Sequence, residues 1–350
     1  MALYTGPEKR LMKVGAKKAT DWDTAVAVGA GNGLPTKSLA GFERKQDYCA
    51  AEEADSPMAR TSQLDVVKPV DFTHGVDMLY DPGALGTLIA LFMGTAGTPV
   101  IQGAGPAYLH TLQLADTAWG KFATVVRTMP GEIWECPSAK PMEWTIKTAD
   151  RGLMSSELKF RGNNVKNNST INQEAQITAL TYADRENRVM FRHNAVKMND
   201  ASSGSVDSES ALNVNGIEVS IKRSGYDEPR GANGTQILEP AESGRPDIRV
   251  KLNFPRYDAV NAAFVAKAIA ETYQKMTITF TGALLNATFY YTLKFWLPKL
   301  RMLNPDAPWE DIVKMGLELV AEEATAEPTG MLYHRPYVTL INKQTTDYLS

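Results

Sequence analysis

The sequence has 350 residues, a formal net charge of −3 at pH 7 and an isoelectric point of about 5.9. This length allows two domains of ordinary size, each able to bury its own core. The near-neutral charge excludes a basic surface spread over the whole chain, so any contact with nucleic acid would have to come from local patches.

The two cysteines, Cys49 and Cys136, are too few for a disulfide scaffold and are usual for a reducing compartment, although a single bridge stays open. The N-terminus lacks an apolar signal core, and the longest apolar run, Ala84–Met93, is much shorter than a membrane span. We therefore expect a soluble protein that is made in a cytoplasm and does not bind a membrane.

Residues 1–40 come first in the chain and are rich in Gly, Lys and Ala. They are predicted to form an N-terminal arm rather than core. From Gln63 to Tyr80, apolar residues recur mostly at even spacing, which is the two-residue period of half-buried strands. A first β domain is predicted over residues 41–200.

A helix and a hairpin are predicted inside that domain. The apolar run Ala84–Met93 has helical character. Further on, apolar and polar residues alternate over 142–146 and again over 156–160, and the turn signal Ala-Asp-Arg-Gly at 149–152 lies between them. A helix that packs on a β-sandwich or barrel is the simplest architecture for this set.

The second half follows the same order. Small polar residues over 198–210 have the composition of a linker, and we assign the linker to 201–210 and a second β domain to 211–350. Alternating residues up to Phe254 precede a helical stripe from Asn261 to Gln274. Residues 309–324 fit both a strand and a helix, and we favour a strand.

Two segments of the first half resemble two segments of the second half. Tyr108–Leu114 is similar to Tyr290–Phe295, and Met190–Asn199 is similar to Leu332–Asn342. The surplus residues between the paired segments lie in the first half. We interpret the chain as a duplicated all-β unit.

The sequence carries no recognisable catalytic equipment. The glycine cluster at 29–33 lacks the Lys-Ser/Thr of a phosphate-binding loop and does not match the dinucleotide fingerprint. None of the four histidines has a second ligand at metal-binding spacing, and Cys136 has no sign of activation. We therefore predict that the protein is not an enzyme and holds no cofactor or metal.

Several short motifs in this order carry a resemblance to a known family. They are the helix Ala84–Met93 with Gly94 close behind, Tyr108–Leu112, the region Trp134–Ile146 with Pro137-Ser138-Ala139-Lys140, the Asn-rich stretch Asn163–Asn168, and the ending Val338–Asn342 to Tyr348. Together they make the chain similar to the major tail tube proteins of long, non-contractile-tailed (siphovirus-type) bacteriophages.

The resemblance implies a mainly β protein with two tandem β-sandwich or barrel units of tail-tube type, each with one flanking α-helix. It implies a structural virion protein that self-assembles into stacked rings, forming the hollow tail tube through which DNA is ejected into the host. The expected partners are further copies of the chain and the tape measure, tail tip and terminator proteins. Double-stranded DNA would pass through the lumen without sequence-specific binding. The expected location is the virion tail, assembled in the bacterial host cytoplasm.

The resemblance also assigns contacts between subunits and rings. In this family an arm, a long loop between strands and the C-terminal segment join neighbours. Here these roles fall to residues 1–40, to the loop 44–60 with its counterpart 224–246, and to the final strand through Tyr348. The candidate interface residues are Arg44, Asp47, Glu52, Asp55, Tyr226, Glu228, Arg230, Glu239, Tyr337 and Tyr348.

If a ring holds six tube folds, a chain with two folds needs only three copies. We therefore favour a trimeric, pseudo-sixfold ring, and six chains per ring is the alternative. Because basic contacts would retain DNA, an excess of Asp and Glu is expected on the inner surface.

Two other classes of function compete with this interpretation. The six tryptophans could grip sugars in a two-domain binding module, such as a tail-tip or carbohydrate-binding protein. A hydrolase with dispersed carboxylates is the weaker alternative, and it would need two acids that converge in a cleft.

Overall fold

The structure, a computed structural model, describes residues 12–51, 61–129, 131–224, 226–231, 234, 236–286, 288–303 and 314–350. Antiparallel strands dominate these residues. The strands of the first half are β1 (Val14–Lys18), β2 (Ser38–Ala40), β3 (Gln46–Ala51), β4 (Thr61–Val67), β5 (Val70–Asp77), β6 (Val100–Ile101), β7 (Tyr108–Gln113), β8 (Ala123–Met129), β9 (Glu132–Ala149), β10 (Ser155–Gly162) and β11 (Asn194–Asp200). Those of the second half are β12 (Gly216–Lys222), β13 (Asp247–Phe254), β14 (Gln274–Asn286), β15 (Phe289–Met302), β16 (Met315–Ala321) and β17 (Tyr337–Asn342).

Three α-helices accompany the strands among the described residues: α1 (Ala84–Met93), α2 (Glu174–Thr178) and α3 (Ala259–Ile269). Short 3-10 turns lie at Phe191–His193 and Val206–Ser208. In the part of the chain that the structure describes, every helix is too short or too polar to cross a bilayer.

Fifteen of the described strands belong to one sheet. Its main path runs β2-β5-β10-β9-β12-β13-β16-β15-β17-β7-β6, while β8, β1, β14 and β11 branch from β9 and β15. The long strand β9 joins the two halves, since it pairs with β8 and β10 of the first half and with β12 of the second. Strands β3 and β4 pair only with each other, as a separate hairpin.

One strand arrangement occurs twice. In the first half the order is β5-β10-β9-β8, and in the second it is β13-β16-β15-β14. In each set a helix follows the first strand, α1 after β5 and α3 after β13. The similar segments 108–114 and 290–295 fall at different places in this repeat, because β7 lies outside the first set and β15 inside the second.

The alternation of apolar residues explains why one face of the sheet is buried. Every second residue of β10 and β13 is buried, and the residues between them are exposed or half-buried. The sheet folds over on itself across this face. The ring of Trp144 in β9 lies 5.7 Å from that of Phe295 in β15 and 6.3 Å from that of Phe92 in α1.

The two long helices differ in burial. Nine of the ten residues of α1 are buried, and the helix ends at Gly94, whose backbone is left-handed (φ 85°). Helix α3 buries Phe264 and leaves Ile269 80% exposed. Helix α1 is therefore a core element, whereas α3 lies at the surface.

The predicted fold class, mainly β, is confirmed, and the helix predicted at Ala84–Met93 has the predicted bounds. The hairpin of β9 and β10 forms around the predicted turn. Helix α3 ends before the predicted Gln274, because Glu271 is left-handed (φ 53°) and the N–H of Thr272 donates to the carbonyl of Lys267 at 3.0 Å. The favoured strand is present at 315–321, and 304–313 lie outside the described residues.

The division of the chain into an arm, two domains and a linker stays a prediction. Within the described part of residues 1–40, Val14, Ala16 and Leu34 belong to the hydrophobic core, and β1 pairs with β8. In the predicted linker, Val206 is buried. Both segments are therefore packed against the body of their own chain.

His74 of β5 gives a pH-dependent contribution to stability. Its ring is buried, Nε2 lies 2.9 Å from the carbonyl oxygen of Pro35, and burial lowers its pKa from 6.5 to about 4. Below pH 6.5 the unfolded chain therefore binds a proton that the folded chain does not bind, so stability falls as the pH falls from 6.5 toward 4.

We predict that His74 accounts for roughly 2 to 3 kcal/mol of the stability lost between pH 7 and pH 4.5. Chemical denaturation at both pH values measures this loss, and His74→Gln should reduce it by that amount because glutamine does not titrate. An equal loss in the wild-type protein and the variant would contradict the assignment.

Candidate assembly surfaces

The β3–β4 hairpin is separate from the main sheet and contains the first candidate interface residues. Arg44 is exposed just before it, Asp47 pairs with Lys68 at 2.7 Å, and Tyr48 is 58% exposed. Glu52 and Asp55 lie outside the described residues. A two-stranded hairpin is only marginally stable by itself, so contact with another surface would strengthen it.

The long loop 224–246 of the second half is held against its own chain by two buried ion pairs. Lys140 Nζ lies 2.7 Å from Glu239, and their side chains are 1% and 9% exposed. Arg223 Nη1 lies 2.9 Å from Glu242, with 0% and 6% exposed. These four residues form what we call the loop clamp.

Arg223 also completes the end of helix α1. Its Nε donates to the carbonyl of Phe92 at 2.7 Å, and its Nη2 donates to those of Met93 at 3.1 Å and Ala115 at 3.2 Å. A cation is favourable at this position, because the last carbonyls of a helix lack partners within the helix and carry partial negative charge. The loop clamp therefore connects the loop, β12 and α1.

The candidate residues of this loop occupy different environments. Tyr226 lies beside the loop clamp, where burial and the Glu242 carboxylate raise its pKa. Glu239 belongs to the clamp itself. Glu228 is nearer the surface and pairs with Arg161 at 3.2 Å, while Arg230 donates to the carbonyl of Val67 in the hairpin at 3.4 Å.

The two C-terminal candidates are enclosed by their own chain. Tyr337 is 1% exposed, its hydroxyl accepts from the backbone N–H of Leu332 at 3.0 Å, and its ring stacks on Trp296. Tyr348 is 2% exposed, and its hydroxyl accepts from Asn342 at 2.7 Å. Their side chains brace the end of the chain, and a role in subunit contacts stays a prediction.

The structure thus brings Tyr226 and Glu239 together and places the other candidates elsewhere. Sequence analysis missed Lys140, Arg223 and Glu242. A signal existed for Arg223, because it continues the alternation of the buried residues Ile217, Val219 and Ile221. For Lys140 no such signal existed, since a register shift between β9 and β10 at this point breaks the alternation.

Among the described strands, the branches of the main sheet end at β1 and β11, and its main path has two open ends. At one end β6 exposes 56% of both Val100 and Ile101, and at the other lies the short strand Ser38–Ala40. An edge strand presents unpaired N–H and C=O groups, and an apolar edge favours pairing with another chain. These two ends are therefore surfaces suited to association.

The described residues contain no group of three side chains suited to a metal ion. His110 is held between the carbonyls of Gly97 at 2.8 Å and Gln344 at 3.0 Å. Burial raises the pKa of the Cys136 thiol to about 12, which disfavours the reactive thiolate. The geometry around these groups is that of packed residues.

A β-rich chain with an apolar sheet edge at β6, a separate hairpin and packed polar groups has the features of a structural protein. The sequence matches the family of phage tail tube proteins over residues 10–330, so the chain belongs to that family. It is a structural component of a bacteriophage virion, located in the tail. No curated protein matches the sequence significantly.

The loop clamp yields a stability prediction. Glu242→Gln removes the charge opposite Arg223 and should lower the free energy of unfolding by about 3 to 5 kcal/mol, because an uncompensated charge stays buried. The matched control is Glu228→Gln, which removes a partly exposed pair and should change stability by about 1 kcal/mol or less. Chemical denaturation of both variants checks this, and equal effects would refute the importance of the clamp.

Proposed function

We propose that this protein self-assembles into stacked rings that form the hollow tail tube of a siphovirus-type phage, through which DNA is ejected into the host. The observation that carries the proposal is the pair of open ends on one continuous sheet. One end is β6 with the exposed residues Val100 and Ile101, and the other is β2.

The two ends differ in sequence and position, so contact between them is head-to-tail. A head-to-tail contact closes into a ring when its rotation divides a full turn. Each copy would then pair β6 with the β2 edge of the next copy, and every subunit would lose the two open edges of its main path. Pairing would satisfy the exposed backbone N–H and C=O groups of these edges, and this gain favours ring closure.

The repeated strand order supports three copies per ring. The sets β5-β10-β9-β8 and β13-β16-β15-β14 supply two similar units per chain. Three chains then give six units in a pseudo-sixfold ring. The predicted domains at 41–200 and 211–350 correspond to one unit each.

The β3–β4 hairpin is our candidate for the contact between stacked rings. Among the described strands it pairs with no strand of the main sheet, and Tyr48 gives it an exposed aromatic anchor. Arg44 and Asp47 belong to the same surface. The end rings would present such surfaces to the tail tip and terminator proteins, and the tape measure protein would occupy the lumen before DNA.

We predict that Ile101→Lys weakens ring closure while leaving the fold intact, because a charge would be desolvated in the paired edge. Negative-stain microscopy and sedimentation should show at least about a tenfold higher concentration for tube formation, equivalent to 1.4 kcal/mol.

The matched control for this experiment is Ile171→Lys, which changes the same residue type at a 44% exposed site away from both sheet ends. It should form tubes as the wild-type protein does. If both variants assemble equally well, β6 is not the closing edge.

The number of chains in a ring is a separate prediction. Symmetry averaging of end-on electron micrographs, combined with the mass of isolated rings, should give three chains. Six chains would refute the trimer and leave the tube function standing. A protein that stays monomeric under all assembly conditions and binds glycans would favour the binding-module alternative.

A further inference from the structure

The exposed face of the sheet carries a regular pattern of charge. Strands β10, β9, β12, β13 and β16 lie side by side, and their outward residues are aligned by the strand registers. Residues at alternate positions of one strand share a face, so the registers determine which outward side chains are neighbours.

Two rows across these strands alternate in sign. One row consists of Lys159, Glu143, Lys222 and Asp247. The other row consists of Lys147, Glu218, Lys251 and Glu318. Between them a third row has Glu157 at one end and Arg249 toward the other, separated by Thr145 and Ser220.

The three rows together therefore carry no net charge. Their opposite charges also balance between neighbouring side chains. Their five cations, Lys147, Lys159, Lys222, Arg249 and Lys251, match their five anions, Glu143, Glu157, Glu218, Asp247 and Glu318. Arg161, the next outward residue of β10, pairs with Asp71 and Glu228 beyond these rows. Several neighbours form direct ion pairs: Lys159 with Glu143 at 3.0 Å, Lys147 with Glu218 at 3.2 Å, and Arg249 with Asp247 at 3.0 Å and Glu318 at 3.3 Å. We call this surface the charge lattice.

The opposite face of the same strands is covered. Its side chains belong to the hydrophobic core, and β14, β15 and α1 pack against them. When a two-layered wall closes into a ring, the bulkier layer fits at the larger radius, because circumference grows with radius. The bare face then lies at the smaller radius.

We infer that the charge lattice lines the lumen of the tube and that its partner is duplex DNA in transit. This inference rests on the proposed tube function. It differs from the acidic excess expected from the sequence, because the lattice avoids retention by placing each cation next to an anion on the same face.

Such a surface would bind the phosphates of DNA only weakly. Opposite charges a few ångströms apart cancel each other's fields well within the screening length of about 8 Å at physiological salt. A cation already paired with a carboxylate releases few counterions on meeting DNA, and counterion release supplies most of the non-specific affinity for DNA. Duplex DNA would therefore slide past the lattice.

The location of the lattice can be tested by labelling. Glu157→Cys and Ser203→Cys, each in a Cys49→Ser background, place a thiol on the lattice and on a loop after β11, respectively. The native Cys136 is buried and should not react. Tubes of each variant are labelled with biotin-maleimide and then exposed to streptavidin, before and after dissociation.

We expect the Glu157→Cys tubes to bind streptavidin only after dissociation, since streptavidin is too large to enter the lumen. The Ser203→Cys tubes should bind it in both states. If intact tubes of both variants bind streptavidin equally, the lattice faces outward and the inference is wrong, although the tube function stands. If no tubes form from the wild-type protein, the proposed function itself fails.

A second experiment tests the role of charge balance. The double variant Glu143→Gln with Glu218→Gln leaves cations unpaired on the lattice, and its control, Lys147→Gln with Lys251→Gln, does the reverse. Duplex fragments present during assembly should co-sediment with tubes of the first variant alone. Raising the salt from 50 to 200 mM should weaken that retention at least roughly tenfold. Equal retention by wild-type tubes would overturn the inference.

Discussion

The long strand β9 is the constraint on which the rest of the structure depends. It pairs with β8 and β10 of the first half and with β12 of the second, so the backbone hydrogen bonds of a single strand join both halves in one sheet. Its inward residue Trp144 contacts Phe92 and Phe295, which places α1 and the folded-over layer on the same core. The pairs β11–β14 and β7–β17 also connect the halves, and β9 adds the connection that leads through β12 from one repeated strand set to the other.

Two buried ion pairs hold the loop 224–246 against the rest of the chain. The described residues of the loop 224–246 form isolated β-bridges rather than a strand ladder, and the loop clamp holds the loop through Lys140, Arg223 and their carboxylate partners. Because Arg223 also satisfies the last carbonyls of α1, a displacement of the loop would uncover a helix end and a buried charge together. In an assembling protein, such a loop can present a defined surface before any partner arrives.

The molecule separates its tasks between parts of the same sheet. The buried face provides stability, the open ends of the main path at β2 and β6 are the proposed sites of association, and the exposed face carries the charge lattice. This separation has a physical basis. Edge association uses backbone N–H and C=O groups, so it does not depend on the charges of the side chains. The outward side chains of the central strands can therefore balance one another in charge. The hairpin β3–β4 lies outside this sheet, and it is the candidate for contacts between rings in the proposed tube.

The sequence by itself determined the β class, the bounds of α1, the β9–β10 hairpin and the strand at 315–321, because each of these follows from local periodicity or turn chemistry. It also carried the motifs that made the tail tube resemblance. The tertiary structure alone decided that β9 pairs with β12, that β6 and β2 are the open ends, and that Lys140 is buried. Alternation tells which face of a strand is buried, but the partner and the register depend on contacts between residues far apart in the chain. For the same reason the individual charges of the lattice were visible in the sequence, whereas their alternation across five strands was not.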